Sequence, residues 1–211
     1  MYNPTSFLEK DPTVIAELIS AYPLGTLITA GPSGLQASQI PFLLLSEGDH
    51  KLVAHLARAN DHWKDLEVAE ECLVVFQGVD NYVTPSWYPS KQETGKVVPT
   101  WNYETVQVRG VPKVIQDAVW LKNLVTDLTD AMEKKRALPW AVSDAPDDFI
   151  KAQLKAIVGL EIVITSIDGK WKMSQNRSAE DAQGVATGLA DPNDPHHNPQ
   201  VAIRVSSRNK R

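Results

Sequence analysis

Several kinds of function are excluded by what this chain lacks. Its 211 residues hold one cysteine, Cys72, so no disulfide can close within the chain. Inside Cys-Leu-Val-Val-Phe that thiol reads as a small core residue of a protein in a reducing compartment. No apolar run approaches the length of a membrane span, and the opening Met-Tyr-Asn-Pro-Thr-Ser-Phe-Leu-Glu-Lys has no basic start followed by an apolar block. The expectation is a soluble, cytoplasmic protein without a secretion signal and without a membrane partner. Positive charge is also scarce: 21 Lys and Arg against 26 Asp and Glu give a net charge of −5. That balance argues against a broad, sequence-independent grip on DNA. Only the final residues, with Arg204, Arg208, Lys210 and Arg211, are markedly basic.

Motifs of common cofactor and metal sites are missing as well. There is no Gly-x-Gly-x-x-Gly, and Gly95-Lys96 lacks both the upstream glycine and the following Ser or Thr of a phosphate loop. His50, His55, His62, His196, His197 and the lone cysteine do not form a structural zinc pattern. Neither of the two long helices is followed by a short turn and a second basic helix, so a helix-turn-helix DNA reader is not visible.

What is present is ordinary globular composition, 43% hydrophobic and 22% charged, in a length that suits one domain. Asp11-Pro12 followed by Val14, Ile15, Leu18 and Ile19 predicts a capped amphipathic helix ending at Pro23. Gly25–Ala30, the turn 31–34 and Leu35–Leu45 predict a hairpin; Ser46-Glu47-Gly48-Asp49 makes a further turn, and Lys51–Ala57 is a third strand. A short helix is expected from Asn60-Asp61 to about Val68, and strands over Cys72–Gln77, Tyr82–Trp87 and Val97–Val108. Helices follow over Asp117–Ala137 and Pro146–Val158, with Leu121, Leu124, Val125, Leu128 and Met132 on one face of the first. Leu160–Ile167, Asp168-Gly169 and Lys170–Ser174 predict a tight hairpin. The Asp/Asn/Pro/His run after Leu189 predicts a loose or partner-contacting arm over 190–211. Six or more strands joined by tight turns, with helices entering around 117–158, define a mainly β, α+β fold: a mostly antiparallel barrel as a single domain over 1–189.

One stretch departs from ordinary packing. From Asn81 to Gly110 the chain crowds Tyr82, Trp87, Tyr88, Trp101 and Tyr103 together with Ser86, Ser90, Lys91, Lys96, Thr100 and Asn102. Flat rings, lysines and hydroxyls together suit a ligand with an aromatic face and an anionic end. A twisted strand pair with aromatics in the core and lysines in solvent fits the same residues. Arg58 and Asn60 precede a helix start, where unpaired N–H groups favour an anion, although a plain helix cap accounts for them equally.

Three segments together carry a family likeness: His55-Leu-Ala-Arg-Ala-Asn60 with Trp63; Pro85-Ser-Trp-Tyr-Pro-Ser-Lys91 through Gly95-Lys-Val-Val-Pro-Thr-Trp-Asn-Tyr103; and Gly169-Lys-Trp-Lys-Met-Ser-Gln-Asn-Arg177. The chain resembles the PaiB-type FMN-binding negative transcriptional regulators, from its opening residues to about Leu189. That resemblance implies an FMN-binding split β-barrel, a homodimer with the flavin at its interface, and a role as a repressor. By position it implies Arg58 and Asn60 at the phosphate or ribityl chain, with Lys91 as a further phosphate candidate. Thr100, Trp101 and Asn102 would line the isoalloxazine, and Ser174, Gln175, Asn176 and Arg177 would close the site. Gln39 and Gln107 stand where a histidine is common in the family, and an amide cannot shuttle a proton near neutral pH. The alternative reading, suggested by relatives of this barrel, is a flavin-dependent oxidoreductase that takes hydride from NAD(P)H.

Overall fold

The computed structural model describes residues 1–45 and 50–209. The turn expected over 46–49 and the basic pair Lys210 and Arg211 lie outside them. In order the chain forms β1 (Leu8–Glu9), α1 (Pro12–Ala21), β2 (Leu24–Gly31), β3 (Gly34–Pro41), β4 (Leu43–Leu45), β5 (Lys51–Ala57), α2 (His62–Leu66) and β6 (Cys72–Val83). Then come α3 (Ser90–Thr94), β7 (Thr100–Ile115), α4 (Ala118–Glu133), α5 (Asp147–Lys155), β8 (Ile157–Lys172), α6 (Ala179–Ala190) and α7 (Pro199–Arg208). The strands make one sheet in the order β3-β2-β6-β7-β8-β5-β4, with β1 added on β8. The α+β organisation on an antiparallel sheet agrees with the sequence expectation. Among the described residues, no helix is long and apolar enough to cross a membrane.

The packing divides the chain into two compact units: Met1–Ile15, Gln77–Val106 and Asp168 onward form the first, and Ala16–Phe76 with Gln107–Ile167 form the second. In the second unit, β2 and β3 make a hairpin closed at Gly31 and Gly34, and Gly34 takes a left-handed φ of 89° that glycine adopts without strain. Leu27, Phe42 and Phe76 are buried there, with Phe42 edge-on to Phe76 at 5.7 Å. Leu124 and Leu128 of α4 cover Val53 of β5. Each such side chain removed from water stabilises by roughly 1.5–3 kcal/mol. Met132, expected on the same face, is half exposed instead.

The first unit buries Val83, Tyr88, Met173, Val185, Leu189, Val201 and Val205 as one cluster. This corrects the expected loose arm. Asn198 caps α7 by accepting from Val201 N at 3.2 Å, and Pro199 occupies the first turn. Val201 and Val205, one turn apart, seal the cluster, while Asp191 and Asp194 accept backbone N–H groups and hold the intervening run in turns. α6 was also unanticipated; Ser178 caps it through Asp181 N, and Trp87 sits where a side chain at Gly188 would project.

The hairpin expected at Asp168-Gly169 is absent. β8 runs unbroken from Ile157 to Lys172, and Gly169 does not take a positive φ. It pairs with Glu9, and a Cβ at Gly169 would lie 3.0 Å from Glu9 O, so the glycine permits a close approach of β1 rather than a turn. β6 likewise runs straight to Val83, leaving only a short 3-10 turn at Pro85–Trp87 where a second strand was expected. The second late helix ends at Lys155; Ile157 and Val158 begin β8.

Candidate functional site

The first unit gathers three cations at the end of β8. Lys172 donates to Thr100 Oγ1 and to Trp101 O, at the start of β7. Burial holds its pKa below the ordinary lysine value, and the charges of Lys170 and Arg177 lower it further. Lys170 is itself buried, donates to Tyr2 O at 3.0 Å and lies 5.3 Å from the centroid of Tyr103. Arg177 stacks its guanidinium over Tyr88 at 4.6 Å. Among the described residues, none of the three is ion-paired with a carboxylate within 4.0 Å. Like charges gathered without an acid favour an incoming anion.

A rigid turn follows the strand. Ser174 holds a left-handed φ of 66°, a strained conformation for a residue other than glycine. Its Oγ accepts from Asn102 Nδ2 at 3.0 Å, and both side chains are buried. Gln175 accepts from Met173 N and donates to Trp171 O, each at 2.6 Å, so its amide is committed to the turn itself. Arg177 N donates to Ser174 O at 3.0 Å, and Asn176 is left exposed. Beside this turn the Trp101 indole is 54% exposed and makes a T-shaped contact with Tyr82 at 6.1 Å, so part of the ring is open to a stacking partner. Lys91 is exposed on α3 and donates to Ser86 Oγ at 3.3 Å. The structure thus brings together Thr100, Trp101, Asn102, Ser174, Gln175 and Arg177.

Lys170 and Lys172 were missed by the sequence reading. Their signal was available: the Lys-Trp-Lys alternation puts both lysines on one face of a strand, where solvated charges need not cluster.

Arg58 and Asn60 belong to the second unit, and structural bonds occupy much of both. Arg58 donates from Nε to Lys155 O at 2.9 Å, from Nη1 to Gln116 Oε1 at 2.9 Å and from Nη2 to Ile157 O at 3.1 Å. Two of its five N–H groups remain, and Arg58 lines a cavity of about 340 Å3 together with Lys151 and Lys155. Asn60 donates to Ser38 Oγ at 3.1 Å and accepts from His62 N at 3.2 Å. His62 is bonded at both nitrogens, to Thr29 Oγ1 at 2.7 Å and Ser38 Oγ at 2.8 Å, and burial lowers its pKa. A histidine so bound is a neutral structural hub.

The comparisons with known proteins bear on this arrangement. Residues 1–166 match the family model described as "Putative FMN-binding domain". The chain belongs to this PaiB-type family. An uncharacterized protein of Emericella nidulans is 35% identical, over 90% of this chain and 90% of its own. An uncharacterized protein of Saccharomyces cerevisiae is 50% identical over 49% of this chain, a match that spans only 63% of the yeast protein. Protease synthase and sporulation protein PAI 2 of Bacillus subtilis is 29% identical over 93% of this chain and 92% of its own. Among solved structures, an FAD and heme binding protein from Mycobacterium smegmatis superposes with a TM-score of 0.58 at 19% identity, covering 78% of this chain and 72% of that one. The flavocytochrome Anf3 from Azotobacter vinelandii gives 0.56 at 15%, covering 78% and 69%. At these identities the superpositions establish the fold alone.

Proposed function

We propose that the protein binds FMN, with the phosphorylated flavin held by the cation cluster of the first unit, and acts as a PaiB-like negative regulator of transcription. The observation that carries the binding is the trio Lys170, Lys172 and Arg177, which among the described residues has no carboxylate within ion-pair distance and stands beside the half-exposed indole of Trp101. FMN supplies an anionic phosphate and a flat ring, and its reversible redox chemistry, when bound, offers a signal. In this reading Lys172 and Arg177 provide charge, Trp101 provides the stacking surface, Thr100 provides a hydroxyl, and the Asn102–Ser174 pair fixes the turn. Lys91 is a secondary phosphate contact, and Asn176 is free to bond the ligand. Two subunits close the site as a homodimer.

The regulatory half is supported by the relative named for protease synthesis and sporulation and by the lack of an evident proton shuttle. His62 is bonded at both nitrogens, and Gln39 and Gln107 are amides. Protein mixed with FMN and freed of excess should remain stoichiometrically yellow; a colourless product would overturn the binding. A gel-shift titration across salt concentrations tests the DNA clause, and loss of every sequence-preferring complex at physiological salt would remove it. Sedimentation of flavin-loaded protein as a monomer would contradict the dimer.

A further inference from the structure

Lys172 has a second chemistry besides the attraction of an anion, because its amine can act as a nucleophile. A lysine ammonium has three N–H donors, and the neutral amine has two together with a lone pair. Nζ meets two acceptors, Thr100 Oγ1 and Trp101 O. The neutral amine satisfies both, so losing the third proton breaks neither contact and frees the lone pair.

The surroundings favour that neutral form. Burial opposes the charge on Lys172, and the neighbouring charges of Lys170 and Arg177 oppose it further. Lys170 and Lys172 alternate along β8 and so share one face of the strand. Among the described residues, no carboxylate stands within ion-pair distance to restore the proton. A lysine partly desolvated beside other cations is an activated nucleophile near neutral pH. Lys172 is half-buried rather than sealed, whereas Lys170 is buried and donates to Tyr2 O.

The same positive charge selects the reagent. An acyl phosphate carries its reactive carbonyl on an anionic leaving group, so the charges of Lys170 and Arg177 concentrate it beside Nζ. A neutral acyl donor gains no such advantage. We propose that Lys172 is a modification site acylated directly by small acyl phosphates, and that the acyl group closes the flavin site. The lone pair of Nζ attacks the carbonyl carbon, the N–C bond forms as the C–O bond to phosphate breaks, and the departing phosphate takes the electron pair and one Nζ proton. The resulting amide has no charge and only one N–H. Closure of the flavin site rests on the reading above, in which that charge holds the FMN phosphate; the acylation itself does not.

Incubating the flavin-free full chain with acetyl phosphate at mildly alkaline pH, then digesting it for mass spectrometry, gives a rate at each lysine. Lys172 should be acetylated about tenfold faster than the exposed Lys91 and Lys96, the low end of the enrichment that clustered charge gives an oppositely charged reagent. With the uncharged donor N-hydroxysuccinimidyl acetate the preference should shrink. Acetylated protein, titrated with FMN, should bind as weakly as Lys172→Met. A rate at Lys172 no greater than at Lys91, or an equal preference with both donors, would overturn the modification site. Full FMN affinity after acetylation would overturn the closure. If intact protein and Lys172→Met bind FMN equally, the flavin reading falls and closure with it, while the acetylation rates still decide the modification.

Discussion

Two groups of cations separate two uses of positive charge. Around Arg58 the guanidinium is committed to two carbonyls and an amide oxygen, which join the end of β5 to the end of α5, the start of β8 and Gln116. Around Lys172 the ammonium meets a hydroxyl and a carbonyl, with burial and two further cations lowering its pKa and, among the described residues, no carboxylate within 4.0 Å. The first arrangement is largely satisfied without a ligand. The second keeps net charge in a half-buried place, which folding alone does not favour. An arginine singled out by motif can thus be chiefly a clip, while a lysine outside the expected set carries the stronger electrostatic signal.

Arg204 offers the largest expected effect that sharpens the contrast. Its Nε lies 3.0 Å from Oε1 of Glu104, a carboxylate only 1% exposed, in an ion pair that lacks hydrogen-bond alignment. Burial raises the pKa of Glu104, and Arg204 and Arg208 oppose the rise. Removing Arg204 leaves that charge less compensated, so Arg204→Ala should cost about 2–3 kcal/mol in urea unfolding at neutral pH. A carboxyl with a raised folded pKa contributes stability that is full below its unfolded value and lost as pH rises through the folded one. Without Arg204 the folded pKa rises further, so the deficit should shrink as the medium is acidified toward about pH 4.5. A deficit independent of pH would place its origin elsewhere than in Glu104.

Next in size is Arg58→Ala, expected to lower stability by about 2 kcal/mol through the loss of three bonds to a charged donor. Its effect on FMN affinity should be the smaller of the two; a large loss of affinity with stability intact would break the comparison and make Arg58 a principal phosphate ligand. Trp101→Ala should weaken FMN about fivefold through lost stacking, with little effect on stability because the ring is half exposed. Smaller still is the pH dependence of binding: affinity should decline as alkaline pH neutralises Lys172, beginning below the ordinary lysine value of about 10.4. Calorimetric titration at successive pH values reads this, and a profile flat to that value would contradict the lowered pKa.

Much of this was legible in the sequence where local chemistry and tertiary packing agree. Asp11-Pro12 announced α1, and Lys51–Ala57 was read to the residue. The crowded stretch from Asn81 to Gly110 did supply Thr100, Trp101 and Asn102 to one place, joined there by Ser174 and Gln175. The misses share a cause. Asp168-Gly169 has turn composition, but its glycine answers the close approach of Glu9 on β1, a demand made by a residue far along the chain. Asn198-Pro199 carries the same cap and first-turn proline as α1, with Val201 and Val205 one turn apart; the polar run before it hid a helix that was in principle readable. Lys172 needed the third dimension, since its depressed pKa arises from burial and from cations brought beside it by folding.

Equilibrium titration of FMN into the intact protein and into Lys172→Met tests the central claim most directly, with thermal unfolding of both as a control. The account predicts about a thirtyfold loss of affinity, the worth of one charge-assisted bond, with unfolding unchanged or shifted slightly upward because a strained charge has been removed. Equal affinities in the two proteins would contradict it.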